Sequence, residues 1–361
     1  IAWKEGPLME KIVSFIKRPS TLVALGLIVV MALLPVLNIS IPGILPGPTW
    51  SPGSLQLLAL AMLIGSMALS YHLLLGVAGL LSFGHALYLA MGSYGLGILL
   101  RETNLQLLPA MVIVFAIALL AAFLLGFVSL QVTGIAFAMV TLAFAQAGSV
   151  LIRRNSQFTN GEEGLPLNIA NVPEFLVGVF NTRNLYWVAL IVMVLCFLAA
   201  AWVERSRAGH VVAAIRENEL RVRVLGIKPL QPKLIAVTAA GVMAAVVGMV
   251  YLVLQSGTSP ENISADLTLT ILVIIVLGGV GSRWGAMIGG MVYVLLEQRL
   301  TAFARSPEIK ELPEFLAIPL SEPLFILGTI FILVVLFLPG GFAGIGRRIA
   351  SGRKAKLKEL S

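Results

Sequence analysis

Charge is what this sequence has least of. Asp, Glu, Lys and Arg make up 12% of its 361 residues and apolar side chains 58%, where soluble domains carry about 25% and about 45–50%. That balance excludes a globular enzyme with a soluble core and gives an all-α polytopic membrane protein. Cysteine is almost missing: Cys196 alone, inside an apolar run, allows no intrachain disulfide and no cysteine-rich metal site. The three histidines, His72, His85 and His210, lie far apart and form no HExxH pair, so no metal site is expected. No Gly-Lys dipeptide occurs, which removes the GxxxxGK[ST] phosphate-binding loop and any visible energy source on the chain itself. No apolar run carries a file of arginines or a chain of acids, the marks of a voltage sensor or proton relay. Glu297, the one acid within an expected span, lies two residues before Arg299, as a snorkelling or locally paired interfacial charge would.

Long apolar runs are what remain. About 20 apolar residues cross a bilayer, and ten spans are expected, near residues 22–37, 55–75, 79–100, 108–130, 133–152, 185–203, 234–254, 267–281, 284–299 and 321–338. The first follows Lys11, Lys17 and Arg18 like the apolar part of a signal peptide. Pro42, Pro46, Pro48 and Pro52 come next with no small-residue cleavage site, so a retained helix is expected. Residues 55–100 contain no charged side chain; one helix of that length would be about 70 Å long, twice the hydrocarbon thickness. It must turn back, at Gly76, Gly79 and Gly84. LGVAGLLSFG (Leu75 to Gly84) is similar to LGGVGSRWG (Leu277 to Gly285), and both fall at expected helix junctions.

Orientation follows from charge. With the N-terminus inside, 18 of the 25 Lys and Arg fall on the cytoplasmic side, against 6 of the 17 acids. The inside is then +12 and the outside −4, as the positive-inside rule requires. The net charge of +8 thus reports orientation, not nucleic-acid binding. Residues 1–20 become a cytoplasmic N-terminal segment, 21–338 the transmembrane domain and 339–361 a basic cytoplasmic tail, with a cytoplasmic loop at 204–233 and an external loop at 153–184.

The 204–233 loop reads as a short amphipathic helix from Gly209 to Gly226. Val211, Ile215, Val222 and Leu225 form one stripe, Gly226 gives the stop, and Pro229 prevents continuation. Two partners stay open: anionic lipid headgroups facing Arg205, Arg207, Arg216, Arg221 and Arg223, or a docked protein.

Four blocks carry a family resemblance: GVAGLLSFGHALYLAMGSYG (Gly76 to Gly95), IAFAMVTLAFAQ (Ile135 to Gln146), SRAGHVVAAIRENELRVRVLGI (Ser206 to Ile227) and ISADLTLTILVIIVLGGVGSRWGAMIGG (Ile263 to Gly290). With the terminal PGGFAGIG (Pro339 to Gly346), the chain resembles the branched-chain amino-acid ABC transporter permease family of the LivM type. The resemblance implies a type II ABC importer permease fold in a bacterial or archaeal cytoplasmic (inner) membrane. It implies no cofactor on this chain: ATP and Mg belong to two separate ATPase subunits, beside a second homologous permease subunit (LivH type) and an external substrate-binding protein. It makes 204–233 the loop that contacts an ATPase, through Ala214, Ile215, Arg216, Glu217, Asn218, Glu219 and Gly226. Two departures stand out. Arg221 and Val222 replace the two small residues the family often has there, and its TGGxxGL phrase appears as Thr159, Asn160, Gly161, Glu162, Glu163, Gly164, Leu165.

A zwitterionic amino acid needs a donor for its carboxylate, an acceptor for its ammonium and apolar walls. Ser82, His85, Tyr88 and Tyr94 follow the break at Gly76 to Gly84, and Thr141 and Gln146 lie on the fifth expected helix, so these are the pathway candidates. Small and hydroxyl residues also serve as close contacts between membrane helices, which leaves a packing role open for each. Other readings are a urea or short-amide ABC importer permease, or a secondary transporter or channel working alone. The chain is not expected to be an enzyme, since clustered catalytic polar residues are missing.

Overall fold

The computed structural model describes residues 28–40, 45–306 and 321–337, with single positions at 26, 319, 340, 341 and 344. The expected segment 1–20 and nearly all of the tail 339–361 lie outside the described residues. So does part of the first expected span, of which residues 28–33 are helical before turns at 34–36.

Helix α1, Pro52–His72, opens with proline at its first position, where a missing N–H costs no hydrogen bond. It runs on through a π-helical turn, Leu73–Val77, giving 26 continuous residues, or about 39 Å. The chain does not resume as a helix at residue 79 as expected. Gly79 turns it with φ +66, and α2, His85–Glu102, starts six residues later. Meanwhile the Tyr71 hydroxyl donates to the Ser82 carbonyl at 2.8 Å, so this stretch runs back beside the last turns of α1.

Then come α3 (Leu107–Ser129), α4 (Ile135–Arg154) and α5 (Thr182–Arg205). Two short helices follow, α6 (Arg207–Glu217) and α7 (Glu219–Val224). The chain continues through α8 (Leu230–Gln255), α9 (Ala265–Gly278), α10 (Arg283–Ala304) and α11 (Pro323–Phe337). A single antiparallel ribbon among the described residues joins β1, Leu165–Pro166, to β2, Gly257–Thr258, with Leu165 opposite Thr258.

Among the described residues five helices are long and apolar enough to cross a bilayer: α1 with its π-turn, α3, α4, α5 and α8. The pair α9–α10 is bent by 119°, and counting it as one crossing gives six, so the expected ten is not reached. With 14 residues, α9 is about 21 Å long, short of the hydrocarbon thickness of about 30 Å.

Burial sorts the helices into inner and outer. α1 is 83% buried and α8 72%, while α3 and α4 bury only 22% and 28%. An apolar helix buried nearly all round is a core helix even in a membrane, whereas α3 and α4 turn their apolar sides outward. α1 packs against α5, α8 and α10. Glycine permits the closest of these approaches: a Cβ on Gly290 would lie 2.7 Å from the Gly65 Cα. Backbone proximity of this kind is how membrane helices gain packing energy where lipid is as apolar as leucine.

The helix ends sort with the charges. Arg205 to Lys233 and Arg283 gather at one end, together with the π-turn of α1 and the α9–α10 bend; Arg101, Arg153, Arg154 and Arg183 lie at the other.

Candidate functional site

The basic end holds the 204–233 segment, and it is two helices, not the single one expected from Gly209 to Gly226. Asn218 is the break: its backbone is extended (φ −159, ψ 99) and its side chain accepts the Arg221 N–H, capping α7. Ser206 caps α6 in the same way, accepting the Gly209 N–H. Gly226, at φ +79, ends the segment as its position suggested. The break changes which side chains face where. Val212, Ile215 and Val222 are buried, while Leu225, expected on the inner stripe, is 77% exposed beside Leu220 and Val224.

The residues named for partner contact therefore divide. Ala214, Glu217 and Asn218 are exposed, and Ile215 points inward. Arg216 reaches back to the membrane body, where its guanidinium donates to the Gly76 carbonyl in the π-turn. Glu219 bonds Arg223 at 2.6 Å and Lys233 at 2.7 Å. The Lys233 hydrogen bond, aided by Arg223, outweighs partial burial and holds the Glu219 carboxyl below the usual carboxylate range. Lys233, which reads in the sequence as one more basic residue of the loop, is itself buried.

Four pathway candidates meet at the amino end of α2. His85 is fully buried, its Nε2 2.7 Å from the Ser70 hydroxyl, and its ring is edge-on to Tyr71 and to Tyr88, at 5.1 and 6.0 Å between centroids. The free N–H groups of this helix end find hydroxyl acceptors on other elements. Thr268 of α9 takes the Ala86 N–H at 3.1 Å, and Thr141 of α4 takes that of Phe83 at 3.1 Å while donating to the Ala138 carbonyl. Ser82 accepts from Gly84. The arrangement is a satisfied helix cap assembled from three segments, and it presents donors and hydroxyls in a buried apolar setting. Ser70, Tyr71 and Thr268 were not singled out from the sequence; Ser70 and Tyr71 precede the Gly-rich break and so carry no mark of belonging to it. Tyr94 and Gln146 stand apart. Tyr94 lies in a second cluster with Leu87, Ala145, Leu165 and Ile263, its hydroxyl without a partner among the described residues, and Gln146 sits on the outward face of α4.

At the far end the Thr159–Leu165 phrase forms a tight loop. Asn160 takes φ +61 and donates to the Gly164 carbonyl at 3.0 Å; Glu162 pairs with Arg153 at 2.7 Å. Leu165 is then pressed on Gly97 and paired with Thr258, whose hydroxyl donates to Ser93 at 3.1 Å.

A cavity of about 510 Å³ opens at the basic end, lined by His72, Gly76, Glu204, His210, Arg216 and Gly281 among others. The two glycine junctions that look alike in sequence thus face one space. Glu204 bonds His72 Nε2 at 3.0 Å and Arg283 Nε at 2.9 Å. Among the described residues no group of three or more His, Cys, Asp or Glu is placed to hold a metal ion.

Comparison with known proteins gives these positions a family. A family profile described as "Branched-chain amino acid transport system / permease component" matches residues 53–338. The chain is 28% identical over 279 residues to the high-affinity branched-chain amino acid transport system permease protein LivM of Escherichia coli K12, covering 70% of this chain and 65% of that protein. It thus spans a little under two thirds of that relative's length. To the permease protein BraD of Pseudomonas aeruginosa it is 26% identical, over 80% of this chain and 95% of that protein. To LivH of Escherichia coli K12 it is 23% identical, over 77% and 90%.

Proposed function

The chain belongs to the family of branched-chain amino acid transport permease components, and from that membership we propose that it is the membrane-spanning subunit of an ATP-driven importer for branched-chain or other small neutral amino acids. A second, homologous permease subunit completes the membrane part. Two ATPase subunits hold ATP and Mg and carry out hydrolysis, and an external binding protein delivers solute. The basic end faces the cytoplasm, which puts both termini inside the cell membrane's inner face.

One observation carries the reading: a two-helix segment at the basic end whose second helix bears apolar side chains that no described residue covers. Leu220 and Val224 of α7 and Leu225 just after it are 72%, 81% and 77% exposed, and Arg221 and Arg223 are exposed among them. An apolar centre with a charged rim is the composition of a protein docking surface. In an ATP-driven importer, a subunit without a phosphate-binding loop of its own receives work through such a surface. On the solute side, the amino end of α2 gathers the hydroxyls of Ser82, Thr141 and Thr268, now engaged with its backbone N–H groups; a carboxylate would have to displace these hydroxyls to reach the N–H groups, with Tyr88 and neighbouring apolar walls for a side chain.

Reconstitution tests it. The chain with its partner permease, ATPases and binding protein in proteoliposomes should take up labelled leucine only when ATP and binding protein are both present. Unlabelled isoleucine or valine should compete, and urea should not. Uptake by this chain alone would refute the subunit reading, and competition by urea but not by isoleucine would move the substrate to the amide class.

A further inference from the structure

We propose that Glu204 is a positioning residue of the coupling machinery: its hydrogen bond with His72 and its ion pair with Arg283 bind the π-turn end of α1 and the α9–α10 bend into one unit with the segment that meets the ATPase. The proposal deepens the importer reading and rests on it.

Glu204 is the next-to-last residue of α5, two residues before the Ser206 cap that starts α6. Any displacement of α6 is therefore delivered to Glu204 through two backbone links. Its carboxylate holds two other segments. Oε1 meets His72 on the last turn of α1 before the π-turn, and Oε2 meets Arg283, the first residue of α10 after the bend. The setting makes the pairs count. His72 is 1% exposed, its ring lying over Gly76 where a Cβ would overlap it. Glu204 and Arg283 are 21% and 22% exposed, so they are shielded from solvent far more than a surface pair, and hydrogen bonds to charged groups in such places are among the stronger ones. Arg283 is held sideways as well: its guanidinium lies 5.4 Å from the Phe197 ring, which in turn packs on Trp284 at 4.6 Å.

Two further contacts close the circuit. Arg216 of α6 donates to the Gly76 carbonyl, so the π-turn is gripped from two sides by the same segment. Gly209 of α6 rests on the carbonyls of Val203 and Glu204 so closely that a Cβ would not fit, which keeps α6 from sliding along the end of α5. Beyond the π-turn the chain leads within a few residues to Ser82 and His85. Beyond the bend, α9 carries Thr268, which holds the same helix end from the other side. Glu204 bonds to both routes, to His72 on one and to Arg283 on the other. A carboxylate is suited to that task because two separate oxygens can hold two cationic or N–H partners at once.

The test uses the full complex in proteoliposomes, with ATP hydrolysis and leucine uptake measured in the same sample. Glu204→Gln and Arg283→Gln should each lower uptake per ATP hydrolysed by about tenfold, the loss expected of one charged hydrogen bond. The double variant should fall no further, since both changes break one pair. Arg283→Lys should recover part of the ratio. The assignment is overturned by an unchanged ratio in the single variants, or by a double variant whose loss is the product of the two. It is equally overturned if the variants only reduce the amount of complex and what remains keeps the wild-type ratio. Wild-type complex that hydrolyses ATP without uptake is a different result: it removes the importer reading and this assignment with it.

Discussion

A methyl group added to Gly92 or Gly248 should force α2 and α8 apart. A Cβ on Gly92 would overlap the Ala245 carbonyl, 2.7 Å from its carbon and 2.9 Å from the Cα; a Cβ on Gly248 would overlap the Leu89 carbonyl, 2.9 Å from its carbon. These are backbone atoms, so no rotamer change relieves the contact. The helices must open by about 0.5–1 Å, a gap that forfeits a quarter to a half of each dispersion contact across the interface. With strain included, overpacking of this kind costs roughly 1–3 kcal/mol. Lipid offers no compensating hydrophobic drive, so the loss falls on packing itself. Because a single separation accommodates both methyls, Gly92→Ala with Gly248→Ala should cost clearly less than the sum of the two. Gly328→Ala in α11, where nothing lies within 4 Å of the added carbon, is the control, and should be neutral or stabilising by up to about 1 kcal/mol. Thermal unfolding of the purified chain in detergent reads all four variants. Wild-type stability in Gly92→Ala, or additive losses in the double variant, would refute the reasoning.

Thr268→Val keeps the shape of the side chain and removes the acceptor of the buried Ala86 N–H; it should cost about 1–3 kcal/mol in the same assay, and Thr268→Ser should not. Leu220→Asp with Val224→Asp changes only well-exposed positions, so stability should move by less than about 0.5 kcal/mol. Affinity for the ATPase subunit should fall at least about tenfold in a co-purification titration, the loss of one interfacial hot spot; unchanged affinity would count against α7 as the docking face. Glu219 titrates below the usual carboxylate range, chiefly through its hydrogen bond with Lys233. A depressed folded-state value means its contribution is present above the unfolded value of about 4.3 and is lost as pH falls through the lower folded one. The stability difference between wild type and Glu219→Gln should therefore be constant above about pH 5 and shrink progressively below about pH 4. A difference that grows as pH falls would contradict it.

Apolar length and charge made the long helices legible. α3, α5 and α8 start and stop within four residues of where hydropathy placed them, because their ends coincide with Gln106, Arg205 and the proline pair near 230. The turn at Gly76 to Gly84 was legible as well, but its form was not. A π-turn needs no residue that an α-helix refuses, so Leu73–Val77 carries no mark of it, and of the five non-helical residues after Gly79, Leu80, Leu81 and Phe83 would suit a helix. The split between α9 and α10 was legible too, as expected spans 267–281 and 284–299 on either side of a Gly-rich junction; what hydropathy did not show is that the chain turns at the positive-φ glycines 279 and 281 and bends the pair by 119°, so that it counts as at most one crossing. At the candidate site, Ser82, His85, Tyr88 and Thr141 came together because each lies near a break or on its packing partner. Glu204 was invisible, since its partners are 132 residues before it and 79 after, and sequence shows a charge without showing what it meets.

The failed stripe on 209–226 has the most to say about how the segment works. A 3.6-residue period continued through Asn218 would align Val211, Ile215, Val222 and Leu225. With Asn218 extended, the two helices keep their own phases: α6 packs against α8, the end of α5 and the π-turn, while α7 packs chiefly on α6. α6 turns Val212 and Ile215 inward and is fastened to the end of α1 by Arg216. α7 turns Val222 inward and is fastened to the start of α8 by the Glu219–Lys233 pair. A single rigid helix would transmit one motion to one place. Two helices joined at a capped break give a partner seated on Leu220 and Val224 a direct hold on α8, the second most buried span, and an indirect one, across Asn218, on α1, the most buried. Those are the two helices against which α2 and α10 are packed through glycine contacts. On the importer reading, movement of α7 would reach α8 both through the Lys233 pair and through α6, which itself packs on α8, and a change at Asn218 should weaken the path through α6 while leaving the Lys233 pair intact.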